Sequence, residues 1–322
     1  MTRAAAPAVL QARLLDWYAA HQRDLPWRRA DASPWGVLVS EVMLQQTPVA
    51  RVLPVWTAWM ERWPLPADLA AQPPGEAVRA WGRLGYPRRA LRLHAAATAI
   101  RDDHGGEVPS TEDRLLALPG VGSYTAAAVA AFAFRRHATV LDTNVRRVLA
   151  RAVSAQEHPA RSLTRAEHEL ATGLLPTDPD VAATWSVAVM ELGALVCTAR
   201  SPRCEACPVA DLCAWQRAGR PAWDGPPRRG QAWEGTDRQA RGALLAVLRS
   251  SEHPVGRDAL HSAVPDEARR ERCLDSLVAD GLVEPLAGDL FRLPGHQSPD
   301  HQPPGRQPGA PTTSTGSGRA RG

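Results

Sequence analysis

The sequence predicts an all-α protein over about its first 215 residues, followed by a Gly- and Pro-rich linker and a small C-terminal module. Three observations carry that expectation. Apolar residues recur at helical spacing through the first two thirds of the chain, and the alternation that marks strands is missing there. Proline and glycine punctuate the same region at WPLP (63–66), QPPGEA (72–77), LGYPRRA (84–90) and DDHGG (102–106), intervals that leave room only for short helices. A length of 322 residues suits about two domains, each able to bury a proper core.

Each element follows from its residues. Residues 8–21 place Leu10, Leu14, Trp17 and Tyr18 on one helical face. After the loop RDLPWRRADASP, Pro34 starts a helix that Pro48 ends, with Glu41 in its middle. Four short helices are expected between 49 and 104. The central stretch Leu115–Asn144 reads as a short helix, a break at Leu118-Pro119-Gly120-Val121-Gly122, and an Ala-rich helix from Ser123 to about Phe134. Thr143–Val153, Arg165–Leu174 and Asp180–Val196 continue the helical pattern. Residues 216–235 form the linker. Beyond it, Thr236 and Asp237 cap a first helix, a second spans Arg257–Val264, and a third runs from Asp266 to near Gly281. Leu282–Leu293 then reads as a hairpin turning at Ala287-Gly288-Asp289, so 236–293 is expected to be winged-helix-like. Such a module binds DNA or a protein, or adds stability. Residues 294–322 are rich in Pro, Gly, Ser and Thr and are expected to be disordered.

Composition narrows the function classes. No apolar run approaches the roughly 20 residues of a membrane span. The charged N-terminal segment reads as an amphipathic helix and not a secretory signal, so a soluble, cytoplasmic protein with no membrane partner is expected. Net charge is +4 with a pI near 9.1, which is compatible with nucleic acid. All 38 Lys+Arg positions are arginine. Without lysine, no side-chain amine exists to form a Schiff base.

Two glycines around Val121 permit a tight turn and leave N–H groups bare at the start of the next helix, where the macrodipole favours an anion. A helix–hairpin–helix of this kind holds a DNA backbone without reading sequence; an ordinary helical corner is the alternative. Glu41 has apolar Val37, Leu38, Val42, Met43 and Leu44 around it, which favours a carboxylate held partly dry over a solvated one. Cys197, Cys204, Cys207 and Cys213 are spaced C-x6-C-x2-C-x5-C. In an intracellular protein this is a metal site before it is a pair of disulfides. Zinc is one candidate, but the compact spacing with a single C-x2-C knuckle favours a [4Fe–4S] cluster. Cys273 stands apart as a core thiol.

Four ordered segments, SEVMLQQTPV (40–49), LPGVGSYTAAAV (118–129), VLDTNVRRVL (140–149) and the Cys loop after ELGALVCT (191–198), resemble the MutY-type adenine DNA glycosylases of the endonuclease III superfamily. The resemblance covers about residues 8–215. It implies two helical lobes, a six-helix lobe over 28–133 and a cluster lobe from 1–27 plus 134–215, with double-stranded DNA lying across the cleft between them.

Breaking an N-glycosidic bond suits one protonated carboxyl and one ionised carboxylate. Burial should raise the pKa of Glu41, making it the general acid. The resemblance implies the same role, with Asp142 stabilising the sugar cation and Asn144 within bonding reach; Asp142 also suits the N-cap of the following helix. Endonuclease III-type enzymes carry a lysine where this chain has Tyr124, so a monofunctional, hydrolytic enzyme is expected. The implied substrate is adenine opposite 8-oxoguanine or guanine. Alternatives are a relative acting on thymine or uracil opposite guanine, and a non-catalytic Fe–S DNA-binding protein. The resemblance makes Gln46 one wedge into the base stack. A second wedge position follows Gly85-Tyr86 and is filled here by Pro87, which still offers an apolar wedge. Leu118, Gly120, Val121 and Gly122 form the backbone grip, and Arg28, Arg88 and Arg89 are candidate phosphate contacts. About 60 residues at the C-terminus are too few for the NUDIX-like domain that reads 8-oxoguanine in many relatives.

Overall fold

In the computed structural model, residues 7–225 and 235–295 are described; the extreme N-terminus, residues 226–234 of the expected linker and 296–322 of the expected tail lie outside them. The description is helical up to the C-terminal module, in which a small sheet appears.

Helix α1 (Pro7–His21) buries Leu10, Leu14 and Tyr18, one side chain per turn. Helix α2 (Pro34–Leu44) starts with Ser33 accepting from Gly36 N at 3.0 Å and Pro34 at its first position. Every side chain from Trp35 to Met43 is buried, so α2 is a central helix with no solvent face. Around it lie α3 (Val49–Arg62), α4 (Pro66–Ala70), α5 (Pro74–Trp81), α6 (Arg88–Asp103), α7 (Glu112–Leu116) and α8 (Ser123–Phe134). Tryptophans fill this core: Trp59 meets Trp63 edge-on at 4.9 Å and Trp81 at 5.7 Å. Residues Thr125–Ala131 of α8 are all buried, and their small side chains let α8 lie close against α2.

Arg135, with a left-handed φ of 51°, ends α8, and an extended run carries the chain across to a second core. There α9 (Thr143–Ala152), α10 (Arg165–Gly173) and α11 (Pro179–Leu195) join α1 around Leu14, Val148, Trp185 and Leu192. The return of α1 to this second body makes the architecture two-lobed. A single 3-10 turn (Cys204–Ala206) and α12 (Ala214–Arg217) close the cysteine loop.

The C-terminal module is α13 (Asp237–Ser250), β1 (Val255–Gly256), α14 (Arg257–Ala263), α15 (Glu267–Ala279), β2 (Glu284–Leu286) and β3 (Leu290–Arg292). Its antiparallel sheet has the order β1-β3-β2, with Val255 opposite Phe291 and Glu284 opposite Arg292. Two details depart from the sequence reading. The hairpin gains a third strand, two residues long and too short to show alternation. Pro294, expected to open a disordered tail, accepts a hydrogen bond from Gly75 N at 2.8 Å. Cys273 is buried in the module core as expected.

Candidate active site

Close packing of α2 on α8 brings Glu41 and Tyr124 together. Glu41 is 6% exposed, and the Tyr124 hydroxyl donates to its Oε2 at 2.8 Å. Burial pushes the Glu41 carboxyl up to about 7; the Tyr124 bond and the more distant Arg28 pull it down, while the Asp142 charge adds to the rise. At neutral pH a large share of this carboxyl therefore carries its proton. Tyr124, enclosed beside two carboxyls, is raised well above the usual phenol range and stays a donor.

Asp142 reaches the same place from the other lobe. It caps α9, with Oδ1 accepting from Val145 N at 2.6 Å and Oδ2 from Asn144 Nδ2 at 2.7 Å. The residue keeps partial exposure at the rim, but protein surrounds it closely enough that burial raises its pKa, opposed by these N–H donors and by Arg147. Asn144 Oδ1 in turn accepts from Arg147 Nη2 at 2.8 Å, and Arg147 also binds Gly193 O at 2.7 Å and Cys197 O at 2.8 Å. Gly193 is required here: a Cβ on it would sit 2.7 Å from Asn144 Cβ. Neither Arg147 nor Gly193 was singled out from sequence. A glycine on the buried side of α11 facing Asn144 is a contact between distant segments, which a single sequence does not display.

The hairpin corner is exposed at Gly120 and Gly122, while Leu118 and Val121 are buried and anchor it from beneath. What faces outward is backbone. Gly120 has φ +78°, and a Cβ there would fall 2.5 Å from Arg92 Cβ.

Gln46 (φ 55°) and Tyr86 (φ 47°) are both exposed and both left-handed, a conformation disfavoured for residues with side chains. One buried side chain ties the two turns together. Arg89 donates from Nη1 to Val42 O (2.8 Å), Met43 O (3.1 Å) and Gln45 O (2.6 Å), and from Nη2 to Thr47 Oγ1 (3.0 Å) and Gly85 O (3.1 Å). It thus caps the C-terminal carbonyls of α2, where a cation suits the helix dipole. Burial lowers its pKa to about 10, which leaves it charged.

This corrects the expectation of Arg89 as a phosphate contact: it is 7% exposed and faces inward. The signal was present, because Arg89 continues the apolar stripe of Leu93, Ala97 and Ile100 along α6. Arg28 keeps part of its surface exposed while it also serves an internal contact. Its Nη2 lies 3.0 Å from Glu191, a fully buried carboxylate that Arg23 also grips at 2.7 Å and that the two guanidiniums hold down at about 2. Arg88 is exposed and pairs with Asp280 at 3.1 Å.

Cys197, Cys204, Cys207 and Cys213 line one pocket with Val196, Pro202, Ala210 and Trp215. Burial pushes the Cys207 thiol up to about 11, and each of the other three thiols adds to the rise, so the four sulfurs share one electrostatic environment. The fully enclosed Arg151 places Nη1 3.5 Å from Cys197 Sγ and lies over the Trp215 ring. Four thiols in an apolar pocket with a guanidinium beside them fit an iron–sulfur cluster, whose cage carries negative charge. Among the described residues, no three His, Cys, Asp or Glu side chains converge as they would on a single ion.

Residues 39–172 match the HhH-GPD superfamily of base excision DNA repair proteins, and residues 197–213 match the iron–sulfur binding domain of endonuclease III. The adenine DNA glycosylase of Mycobacterium tuberculosis is 55% identical over 283 residues, 88% of this chain and 92% of its own length. The chain belongs to the adenine DNA glycosylases. The adenine DNA glycosylase of Mycolicibacterium smegmatis is 54% identical over 88% of this chain and 95% of its own. The human adenine DNA glycosylase is 43% identical over 209 residues, 62% of this chain and 38% of its own length. Among solved structures, a thermostable thymine-DNA glycosylase superposes with a TM-score of 0.59 at 29% identity, covering 66% of this chain and 97% of that one. A non-covalent endonuclease III–DNA complex (TM-score 0.58, 24% identity) shares the fold. This adenine DNA glycosylase is a DNA N-glycosylase of base excision repair, and its cysteine loop is a [4Fe–4S] site.

Proposed function

We propose that this enzyme hydrolyses the N-glycosidic bond of adenine paired with 8-oxoguanine or guanine, acting as a monomer and leaving the DNA strand intact. The observation that carries the reading is the Tyr124–Glu41 hydrogen bond, made between enclosed side chains that lie within electrostatic reach of Asp142.

Glu41 is the general acid. Its carboxyl holds a proton near neutral pH and delivers it to the departing adenine ring, which needs neutralising as the C–N bond lengthens. Once protonated adenine leaves, the same carboxylate accepts a proton from the attacking water. Asp142, held by Val145 N and Asn144, supplies the negative charge that meets the sugar cation. Tyr124 orients Glu41 by donating to one of its oxygens, leaving the other for the base.

Excision requires the adenine to leave the stack. Gln46 and Tyr86, both exposed and held in left-handed conformations, enter the vacated space in this reading, together with Pro87 at the second wedge position. The Gly120–Gly122 backbone binds a phosphate. Cys197, Cys204, Cys207 and Cys213 would hold the [4Fe–4S] cluster, which when bound would tie the loop of the second lobe together; the proton transfers above are carried by Glu41. No helix among the described residues is long and apolar enough to cross a membrane.

The chain has no lysine to attack the sugar, and Tyr124 stands where a lyase lysine would. The test is a glycosylase assay on duplexes with A or T opposite G or 8-oxoguanine. Wild type should release adenine only, give strand breaks solely after alkali, and form no borohydride-trapped adduct; Glu41→Gln should be inert. Excision of T from T·G, or a trapped adduct, would overturn the reading.

A further inference from the structure

The C-terminal module has the helix order of a winged helix, in which α15 would be expected to enter a DNA groove. Its charges argue otherwise. Between residues 235 and 295 there are eight arginines and ten carboxylates, a net of −2. The cations of α15 and its neighbours are engaged within the module. Arg272 grips Asp237 at 3.1 Å, Arg269 lies 3.8 Å from the same carboxylate, and Arg270 is buried, donating to Val264 O. Arg257 pairs with Glu271 and Asp289.

What the module does meet is the six-helix lobe, and at a particular place. Arg249 Nε donates to Val78 O at 3.0 Å, and Arg79 returns the contact by donating to Ser251 O at 2.8 Å. This docking carries two side chains to the turn that starts α6. The Arg238 guanidinium, at the start of α13, lies 5.5 Å from the centroid of the Tyr86 ring, and Asp280, at the end of α15, pairs with Arg88 at 3.1 Å. Arg89 lies 5.6 Å from the same ring. The turn is therefore held from within by Arg89, at Gly85 O and the Tyr86 ring, and from outside by the module, at the Tyr86 ring and Arg88.

A half-exposed tyrosine with φ +47° needs such support, because its preferred backbone conformation is a different one. We propose that the C-terminal module is a brace for the Gly85–Tyr86–Pro87 turn, with Arg238 and Asp280 as positioning residues, and that it does not itself read DNA. The module acts on the reaction by fixing the direction in which Tyr86 projects toward the duplex. The inference rests on Tyr86 being a side chain that enters the base stack.

Two quantities measured on the full chain test it. One is the fluorescence of 2-aminopurine placed beside the mispaired adenine, which reports unstacking on binding; the other is the single-turnover rate of adenine release. Arg238 is exposed, so Arg238→Ala should fold normally. It should lower both the fluorescence change and the rate by about two- to fivefold, the strength of an exposed cation–π contact. Arg238→Lys should restore most of the loss, and Asp280→Ala should reproduce it. The double variant Arg269→Gln/Arg272→Gln should bind DNA with unchanged affinity and salt dependence. The proposal is overturned if Arg238→Ala unstacks the duplex as wild type does. It is equally overturned if the α15 double variant binds more weakly with a shallower salt slope, the mark of lost phosphate contacts. Intact unstacking without adenine release from wild type would sink the adenine reading and leave the brace in place.

Discussion

Glu41→Gln should stabilise the protein by an amount that grows with pH. In the native state burial holds this carboxyl at about 7, against 4.5 when it is freely solvated. Between those values the native state binds more protons than the unfolded state, so native stability falls as pH rises. The gap of about 2.5 pH units corresponds to roughly 3 kcal/mol once the pH exceeds 7. Glutamine has the shape of the protonated acid, still accepts the Tyr124 hydrogen bond, and does not titrate. The variant and wild type should therefore be equally stable near pH 4.5, diverge through pH 5–7, and differ by up to about 3 kcal/mol at pH 8. In a thermal melt this is a difference of roughly 6–12 °C at pH 8 that vanishes in acid. Excision should meanwhile fall by about a hundredfold or more, the usual worth of a general acid. A constant difference in melting temperature across the pH range would refute the argument, because Glu41 would then not be held neutral by its burial.

The excision rate of wild type should decline as pH rises through about 7, as Glu41 loses its proton. Tyr124→Phe removes a bond that favours the carboxylate, so the falling limb of that profile should move to higher pH; a profile that stays put would count against the contact. Gly120→Ala must force a side chain into φ +78° and against Arg92, and should weaken duplex binding about tenfold while lowering stability by roughly 1–3 kcal/mol. Arg89→Met should leave the α2 carbonyls and Gly85 O without their donor; a loss of roughly 2–4 kcal/mol in urea denaturation, together with loss of DNA-induced unstacking, is expected.

The parts of the candidate site that were legible in sequence are those whose chemistry is local. Glu41 stood out because a carboxylate amid Val, Leu and Met on one helix is anomalous, and the structure does bury it. The four cysteines were legible by spacing, and the hairpin by two glycines beside a small-residue helix. The arginines were not. Arg28, Arg88 and Arg89 looked alike as cations in loops or at a helix start, yet one holds Glu191, one pairs with Asp280 and one caps α2. Which carboxylate or carbonyl an arginine meets is decided by segments far away in the chain, as Asp280 is from Arg88, and charge alone does not report that. The same distance effect hid Gly193 behind Asn144, the docking of Arg249 on α5, and β1, whose two residues gain strand character only from β3.

The absence of lysine has a consequence beyond excluding a Schiff base. Buried cations at positions 89, 147 and 151 act as internal cross-ties, each joining carbonyl oxygens from elements far apart in sequence. A lysine in such a place presents one small ammonium and tends to shed its proton when enclosed, whereas a guanidinium spans several acceptors and keeps its charge. Each of these three guanidiniums is therefore a multidentate tie that a single ammonium would not reproduce. Between pH 5 and 8 the field acting on a bound sugar changes with the proton on Glu41, inside a scaffold that Arg89 ties together in one lobe and Arg147 and Arg151 in the other.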